Sequence, residues 1–420
     1  MKLLTRSRLG QRVLSRAQRK GVDLARLPFV PRALALPLQR DGVDPVEQLR
    51  HTREADPVTR LTRMFGMNIW LVTGHQATRA VLADASRYSN DIRHLVDRNA
   101  SEPERDIGGL GFTDPPDHTR LRRILTPEFT MRRLGRLKPR IQRIVDDQLD
   151  AVEAAGPVAD LVPLFAFPIP FLVISELLGL PDDDRQRFQR LGHARFDVSQ
   201  GGIGSLGAVS ESRSFFIDVV RRQRAHPTDG LIGQIIEQHG DHVDDIELAG
   251  LADGVFTGGY ETSASMLALG ALVLLQDKGG LAALHDDDAV GPIVEELLRH
   301  LAVVQISFPR FAREDLVLFG HRVSAGDVVV CSLSGANRDA ALGLGMEGFD
   351  AGRPPTSHLA FGHGLHRCIG AELARMELRA AFPALARRFP GLQLAVDPAD
   401  LRFRELSLVY GVESLPVRLR

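Results

Sequence analysis

The chain has 420 residues, 44% apolar and 25% charged, with a formal net charge of −1. That balance is ordinary for a globular protein and offers no overall field to draw nucleic acid or an anionic membrane surface. Two cysteines, Cys331 and Cys368, make no disulfide framework and suit a reducing, cytoplasmic setting.

Residues 1–22 are rich in Arg and Lys, and the first acid is Asp23. With only a thin apolar stripe (Leu3, Leu4, Leu9, Val13 and Leu14), this stretch reads as a solvated basic arm over residues 1–40. A transit peptide or a membrane-surface helix stays open. Next come a strand over residues 68–72, a helix over 75–84 and a polar, Gly-containing loop over 91–111, a length typical of binding loops and lids. Helical patterning follows, with one helix after Asp117 and another over 134–154 that Gly156-Pro157 ends. The run from Phe165 to Leu180 is the richest in apolar residues, but it carries Pro168, Pro170, Ser175 and Glu176 and reads as buried core. No run approaches the roughly 20 apolar residues that span a bilayer.

Residues 200–210 are Gly- and Ser-rich and read as a connection. Residues 244–276 then form a long helical pattern, apolar on most sides, as expected of a helix through the middle of a large domain. A helix over 291–301 has Pro292 near its first turn. Strands are expected over 316–319, 321–323 and 328–333, then a helix over 369–388 and strand-like pieces over 392–396 and 406–412. Helices outweigh strands, and no strand–helix alternation supports a doubly wound sheet. Cys331 follows three valines and reads as a packed core residue.

The stretch Phe361-Gly362-His363-Gly364-Leu365-His366-Arg367-Cys368-Ile369-Gly370 places a cysteine where a glycine-rich loop enters a helix. The glycines imply tight turns or close approach. A helix N-terminus favours a thiolate, which is a soft, electron-donating ligand. A Cys in such a place is also compatible with a small buried hydrophobe or a nucleophile. The whole pattern, continuing to Leu373-Ala374-Arg375, closely resembles the haem-binding signature of the cytochrome P-450 family.

Further motifs carry the same resemblance in the same order. Asp114-Pro115-Pro116-Asp117-His118-Thr119-Arg120-Leu121-Arg122 puts His118 and Arg122 on one helix face, and Phe308-Pro309-Arg310 follows later. Gly258-Gly259-Tyr260-Glu261-Thr262 interrupts the long apolar helix with two glycines, an acid and a hydroxyl. Glu296-Leu297-Leu298-Arg299 puts an acid and a base on one face, and Phe349-Asp350-Ala351-Gly352-Arg353 lies before the cysteine loop.

The resemblance implies a mainly α fold with small β-regions, a single triangular helical domain over residues 41–420. It implies haem b with an axial thiolate from Cys368, Phe361, Gly362 and Gly370 shaping the loop, and His366, His118, Arg122 and Arg310 binding the propionates. Gly258 and Gly259 open the long helix over the iron, and Glu261 and Thr262 deliver protons. Glu296, Arg299 and Arg353 hold the core together behind the haem. The implied activity is monooxygenation: hydroxylation or epoxidation of an apolar small molecule, with electrons from a separate ferredoxin and ferredoxin reductase. Arg123, Arg367 and Arg375 are candidates for the docking face of that partner. The loop over 91–111, the stretch over 200–210, Val255, residues 303–308 and the turn near Tyr410 are candidates to line the substrate pocket, and Val303, Val304, Ile306 and Phe308 suggest an apolar substrate. A peroxide-driven peroxygenase and a non-catalytic haem-thiolate sensor are the alternatives, against which the Glu261-Thr262 pair argues.

Overall fold

The computed structural model describes residues 32–64, 66–91, 109–181, 184, 188 and 206–419; of residues 32 and 206–210 it gives the backbone only. The expected basic arm therefore lies mostly outside the described residues, as do residues 92–108 of the polar loop and 200–205 of the Gly/Ser stretch.

The principal elements, in chain order, begin with α1 (Glu47–Ala55), β1 (Val58–Met64), β2 (Met67–Val72), α2 (His75–Ala83) and β3 (Tyr88–Ser89). Then come α3 (Asp117–Leu125), α4 (Lys138–Ala154), β4 (Val158–Asp160) and α5 (Pro168–Leu178). The middle of the chain is helical: α6 (Leu206–Ala225), α7 (Leu231–His239), α8 (Asp245–Gln276) and α9 (Asp287–Leu301). The last third holds β5 (Arg310–Ala312), β6 (Leu316–Leu318), β7 (His321–Val323) and β8 (Val328–Cys331). It ends with α10 (Ala371–Arg388), β9 (Gln393–Leu394) and β10 (Pro416–Arg418).

Contacts divide the chain into two compact units, one containing Ser175–Phe256 and the other Pro31–Ile174 with Thr257–Arg420. The first unit has an aromatic centre: Phe188 stacks on Phe215 at 5.4 Å and meets Phe216 and Phe256. The second unit holds the β-structure and every motif residue singled out in the sequence. Its five-stranded sheet runs β1-β2-β8-β5-β3, with β2 and β8 parallel and the other neighbours antiparallel. β9, β10 and β4 form a second sheet, and β6 and β7 a hairpin. Cys331 is fully buried among Val58, Val72, Val81 and Val329, as its apolar strand implied.

The apolar pattern places the long helix well. α8 has 32 residues and is long and apolar enough to cross a membrane, yet 72% of its most apolar window is buried inside the protein. Several boundaries differ from expectation: residues 206–210 of the expected connection begin α6, and the strand expected over 328–333 ends at Cys331, before a helical turn over Leu333–Ala336. α9 begins at Asp287, where the Asp286 side chain accepts from the Asp288 N–H, so Pro292 lies inside the helix rather than in its first turn. Short helical turns over Met131–Leu134 and Gly135–Leu137 precede α4, which starts only at Lys138. Residues 406–412 form no strand: Val409 and Val412 make single bridges to Val304 and Phe403, and the last strand is β10. Leu406 has φ 52°, which breaks extended backbone at that point.

Candidate active site: a cysteine loop beside a buried basic cluster

Residues 361–370 turn on two glycines in the left-handed region, Gly362 (φ 68°) and Gly364 (φ 71°). A Cβ on Gly364 would lie 2.4 Å from the Leu82 carbonyl oxygen, so the loop can pass α2 only with glycine there. The Cys368 N–H donates to the Phe361 carbonyl at 2.9 Å, closing the loop on itself. α10 starts three residues further on, and the Gly370 N–H faces the sulfur. Cys368 has exposed surface, yet protein crowds it closely enough that burial pushes its thiol above the ordinary value. The residue thus keeps solvent-accessible surface although protein atoms surround its sulfur. Helix-start N–H groups and the cations Arg122, Arg367 and Arg375 pull the other way without winning, so the lowered pKa expected from the helix terminus alone is not found.

Arg122 on α3 reaches the loop directly, donating through Nη2 to the Arg367 carbonyl at 2.7 Å. One turn earlier on α3, His118 is fully buried, and neither ring nitrogen has a hydrogen-bond partner among the described residues. Its ring lies 4.2 Å from that of His366. Burial, with His118 and Arg310 nearby, pushes His366 down to about 3. Arg310 is itself buried and donates to the Phe308 carbonyl at 3.1 Å. The nearest acid, Asp114, is already engaged by Ser89, the Asn90 N–H and Arg313. Two imidazoles and a guanidinium thus converge without a free counter-charge of their own, and two buried nitrogens are orphaned. This is a site built to receive an anion.

On α8, the Thr262 hydroxyl donates to the Gly258 carbonyl at 2.7 Å, the one-turn-back bond expected of a mid-helix threonine. A Cβ on Gly258 would meet nothing within 4 Å, so the helix presents bare backbone to open space there. Gly259 does a different job: its Cβ would lie 3.0 Å from Ile174, a packing contact. Tyr260 packs edge-on against Phe167 and Phe171. Glu261 is not a free acid. Burial raises it, but Arg404 forms an ion pair with it and also donates to the Ser265 hydroxyl at 2.8 Å.

The Glu296–Arg299 pair, which spacing alone would leave on a surface, is buried. Arg299 grips Glu296 with two bonds of 2.7 Å and donates to the carbonyls of Asn337, Met346 and Gly348. Arg353 completes the group at 3.1 Å from Glu296.

Two expectations are corrected. Arg375 is only 13% exposed and is consumed by Glu295 and Glu372, so it is no docking cation, whereas Arg123 and Arg367 are exposed. Tyr410 faces the core: it stacks on Phe403, donates to the Gly42 carbonyl and carries Arg40 over its ring. Sequence reasoning missed Arg404, Glu295 and Glu377. Glu377 had a signal, since it sits on the buried stripe Leu373–Glu377–Ala381 of α10; Arg404 lies in an unpatterned segment and had none.

The fold and site define a haem-thiolate monooxygenase, and the chain belongs to the cytochrome P450 family. The profile described as Cytochrome P450 matches residues 211–401. Cytochrome P450 165C4 of Amycolatopsis orientalis is 40% identical, over 87% of this chain and 92% of that one. Mycinamicin IV hydroxylase/epoxidase of Micromonospora griseorubida is 36% identical, over 87% and 93%. Among solved structures, P450 StaH from glycopeptide antibiotic A47934 biosynthesis superposes with a TM-score of 0.82 at 41% identity, covering 91% of this chain and 99% of that one.

The family's cofactor is iron protoporphyrin IX with a cysteine as axial ligand. The residues present fit it: an accessible thiol on a glycine-built loop suits the iron, and the orphaned His118 nitrogens with His366 and Arg310 suit the propionates.

Proposed function

We propose that this protein inserts one oxygen atom of dioxygen into an apolar small organic molecule, by hydroxylation or epoxidation, with Cys368 as the axial ligand of its haem. One observation carries the reading: a thiol that is enclosed yet reachable, on a loop whose neighbour His366 joins a buried, anion-hungry basic cluster. The relative that is a mycinamicin IV hydroxylase/epoxidase supports the reaction class. Bound haem supplies electron transfer to dioxygen and cleavage of its O–O bond. The protein's own residues do the rest. Cys368 donates through Sγ. His118, His366, Arg122 and Arg310 hold the propionates. The open backbone at Gly258 leaves space beside Thr262, whose hydroxyl, tied to the Gly258 carbonyl, holds a proton at Oγ1. Glu261, after leaving Arg404 and taking a proton from solvent, would replenish that proton. Glu296, Arg299 and Arg353 keep the core behind the cysteine loop rigid.

Phe308, with 48% of its surface exposed and its ring 4.6 Å from Phe112, forms an aromatic edge for the substrate side. A Cβ on Gly111 would strike that ring at 2.7 Å, so the pair depends on glycine there. Electrons come one at a time from a separate ferredoxin with its reductase, docking over exposed Arg123 and Arg367. Residues 41–420 act as the catalytic domain, working in the cytoplasm, and residues 1–40 as an appended arm.

The test is Cys368→Ala. Wild-type protein, reduced under carbon monoxide, is expected to give the red-shifted band of a thiolate-ligated haem and to turn over with NADPH and a surrogate ferredoxin system. The variant is expected to lose both. An unaltered spectrum and retained turnover in the variant would sink the assignment.

A further inference from the structure

Behind the cysteine loop lies a second ion network. The Arg375 guanidinium sits over the Phe361 ring, 4.7 Å from its centroid. Glu295 grips Arg375 from the other side with a two-bond fork, Nε to Oε1 at 2.7 Å and Nη2 to Oε2 at 2.9 Å. Glu372 takes the remaining nitrogen at 2.8 Å, and His358 meets Glu295 Oε2 at 3.1 Å. Arg379 approaches the same carboxylate at 3.4 Å. Burial alone would raise Glu295, but its bonds to His358 and Arg375 outweigh that and hold it at about 2, so it stays anionic.

The centre of the network is largely shielded from bulk screening, whereas Glu372 and Arg379 at its edge are 40% and 45% exposed. The side chains of His358, Arg375 and Glu295 are 4%, 13% and 18% exposed, so their charges act on the loop through protein rather than water. Phe361 couples the network to the ligand: its ring carries Arg375, and its carbonyl accepts the Cys368 N–H. The Arg375 charge also acts on the Cys368 sulfur directly. A ring pinned between a fixed cation and a hydrogen-bonded loop holds both the place of the sulfur and the potential around it.

We propose that Arg375, clamped by Glu295 and Glu372 over the Phe361 ring, is a positioning residue that sets the reduction potential of a haem bound at Cys368. This rests on the reading of Cys368 as the axial ligand. An electron added to the iron is favoured by nearby positive charge and opposed by negative. Arg375 is the cation in contact with the Phe361 ring, and its two carboxylates offset it. Removing Arg375 takes a positive charge from beside Phe361 and leaves Glu295 with His358 and Arg379, so negative charge gains and the potential falls. Removing the Glu295 charge leaves Arg375 with Glu372 and takes from Arg379 the carboxylate it approaches, so positive charge gains and the potential rises.

The experiment is a spectroelectrochemical titration of the haem-loaded protein at fixed pH, for wild type, Arg375→Gln, Glu295→Gln and the double variant. Arg375→Gln is expected to shift the ferric/ferrous equilibrium toward ferric by at least threefold, about 28 mV at 59 mV per tenfold for one electron. Glu295→Gln is expected to shift it toward ferrous by at least as much, and the double variant to fall between the two. A network that only braces the fold would move both single variants the same way or neither; either result, or smaller shifts, overturns the proposal. Should Arg375→Gln not fold, Glu372→Gln keeps the fork and is expected to raise the potential by less than Glu295→Gln; no rise in either overturns the idea equally. The reduced carbonyl spectrum of the wild type separates the two levels. Its absence there rejects thiolate ligation itself, whereas its presence with unmoved potentials rejects only the role of Arg375.

Discussion

Glu377 is the residue whose chemistry is most exposed to a simple test. It is fully buried on α10, one of its carboxyl oxygens has no partner among the described residues, and burial pushes it up to about 8 against a hydrogen bond from Ser263. It is therefore protonated in the folded protein at neutral pH, while in the unfolded chain it ionises above the ordinary 4.5. Between those values the folded state holds a proton that the unfolded state has lost. The contribution of this group to stability thus falls as pH rises from about 4.5 to about 8, by about 1.4 kcal/mol per pH unit at most. Glu377→Gln cannot ionise, so urea midpoints of the variant are expected to change less between pH 5 and pH 8 than those of the wild type. The variant is also expected to be the more stable of the two at pH 8. Equal pH slopes in the two proteins would show that Glu377 is already ionised in the fold.

The same lesson separates legible from illegible residues at the site. His118, His366, Cys368 and the Glu296–Arg299 pair stand in dense local patterns, where a few positions of sequence fix the geometry. Glu261 was legible as an acid on an apolar helix, but its state was not. Burial raises its pKa, and Arg404, 143 residues away, pairs with it and opposes that shift; nothing local announces this partner. Even the room for Arg404 comes from elsewhere: a Cβ on Gly411 would lie 2.0 Å from its Nη2.

At the scale of elements, periodicity found the longest helix and α10, but did not delimit the 20-residue α6, whose first turn lies in a stretch read as a connection. α8 and α10 were readable because apolar positions recur over many turns. β1 was missed because its mixed polar sequence, VTRLTRM, earns its place by pairing with β2 along most of its length. Helix starts shifted by a few residues where caps rather than periodicity decide, as at Asp286. Two predictions belong here. Arg299 is fully buried and holds α9 to the segments at Asn337, Met346 and Gly348. Arg299→Ala leaves Glu296 charged and buried beside Arg353 alone, with an expected loss of about 3–5 kcal/mol by denaturant titration. Arg299→Lys is expected to recover only part of it, since an ammonium cannot reproduce the fork. α8 also passes α10 at Gly270, where a Cβ would lie 2.4 Å from Phe382 Cζ and the ring is fully buried. Gly270→Ala gains helix propensity but overpacks this crossing. A net loss of about 1–3 kcal/mol is expected from the same titration, and a gain would mean the ring can move aside.

For the molecule as a whole, the propionate role proposed for His118 would link stability to cofactor binding. A fully buried imidazole with both nitrogens unpartnered costs about 1–3 kcal/mol in the protein chain alone. Burial, with Arg122 nearby, also lowers its pKa, so it does not escape the cost by taking up a proton. On the proposed reading a propionate would supply the missing acceptor, and the cost in the chain would become affinity for the cofactor. His118→Leu removes the orphaned groups and keeps an apolar body in the site. Haem-free variant is therefore expected to unfold at the same denaturant concentration as haem-free wild type, or a higher one. The gain on adding haem is expected to shrink: ligand at a hundredfold over its dissociation constant contributes about 2.7 kcal/mol, and a tenfold weaker site forfeits about 1.4 of it. Unfolding midpoints with and without haem, together with the rate of haem transfer to an acceptor protein, measure both halves. A variant less stable without haem, yet stabilised by it as fully as the wild type, would make His118 a core residue with no part in holding the cofactor. The opposite pattern would show that the fold carries a built-in penalty that only the cofactor relieves.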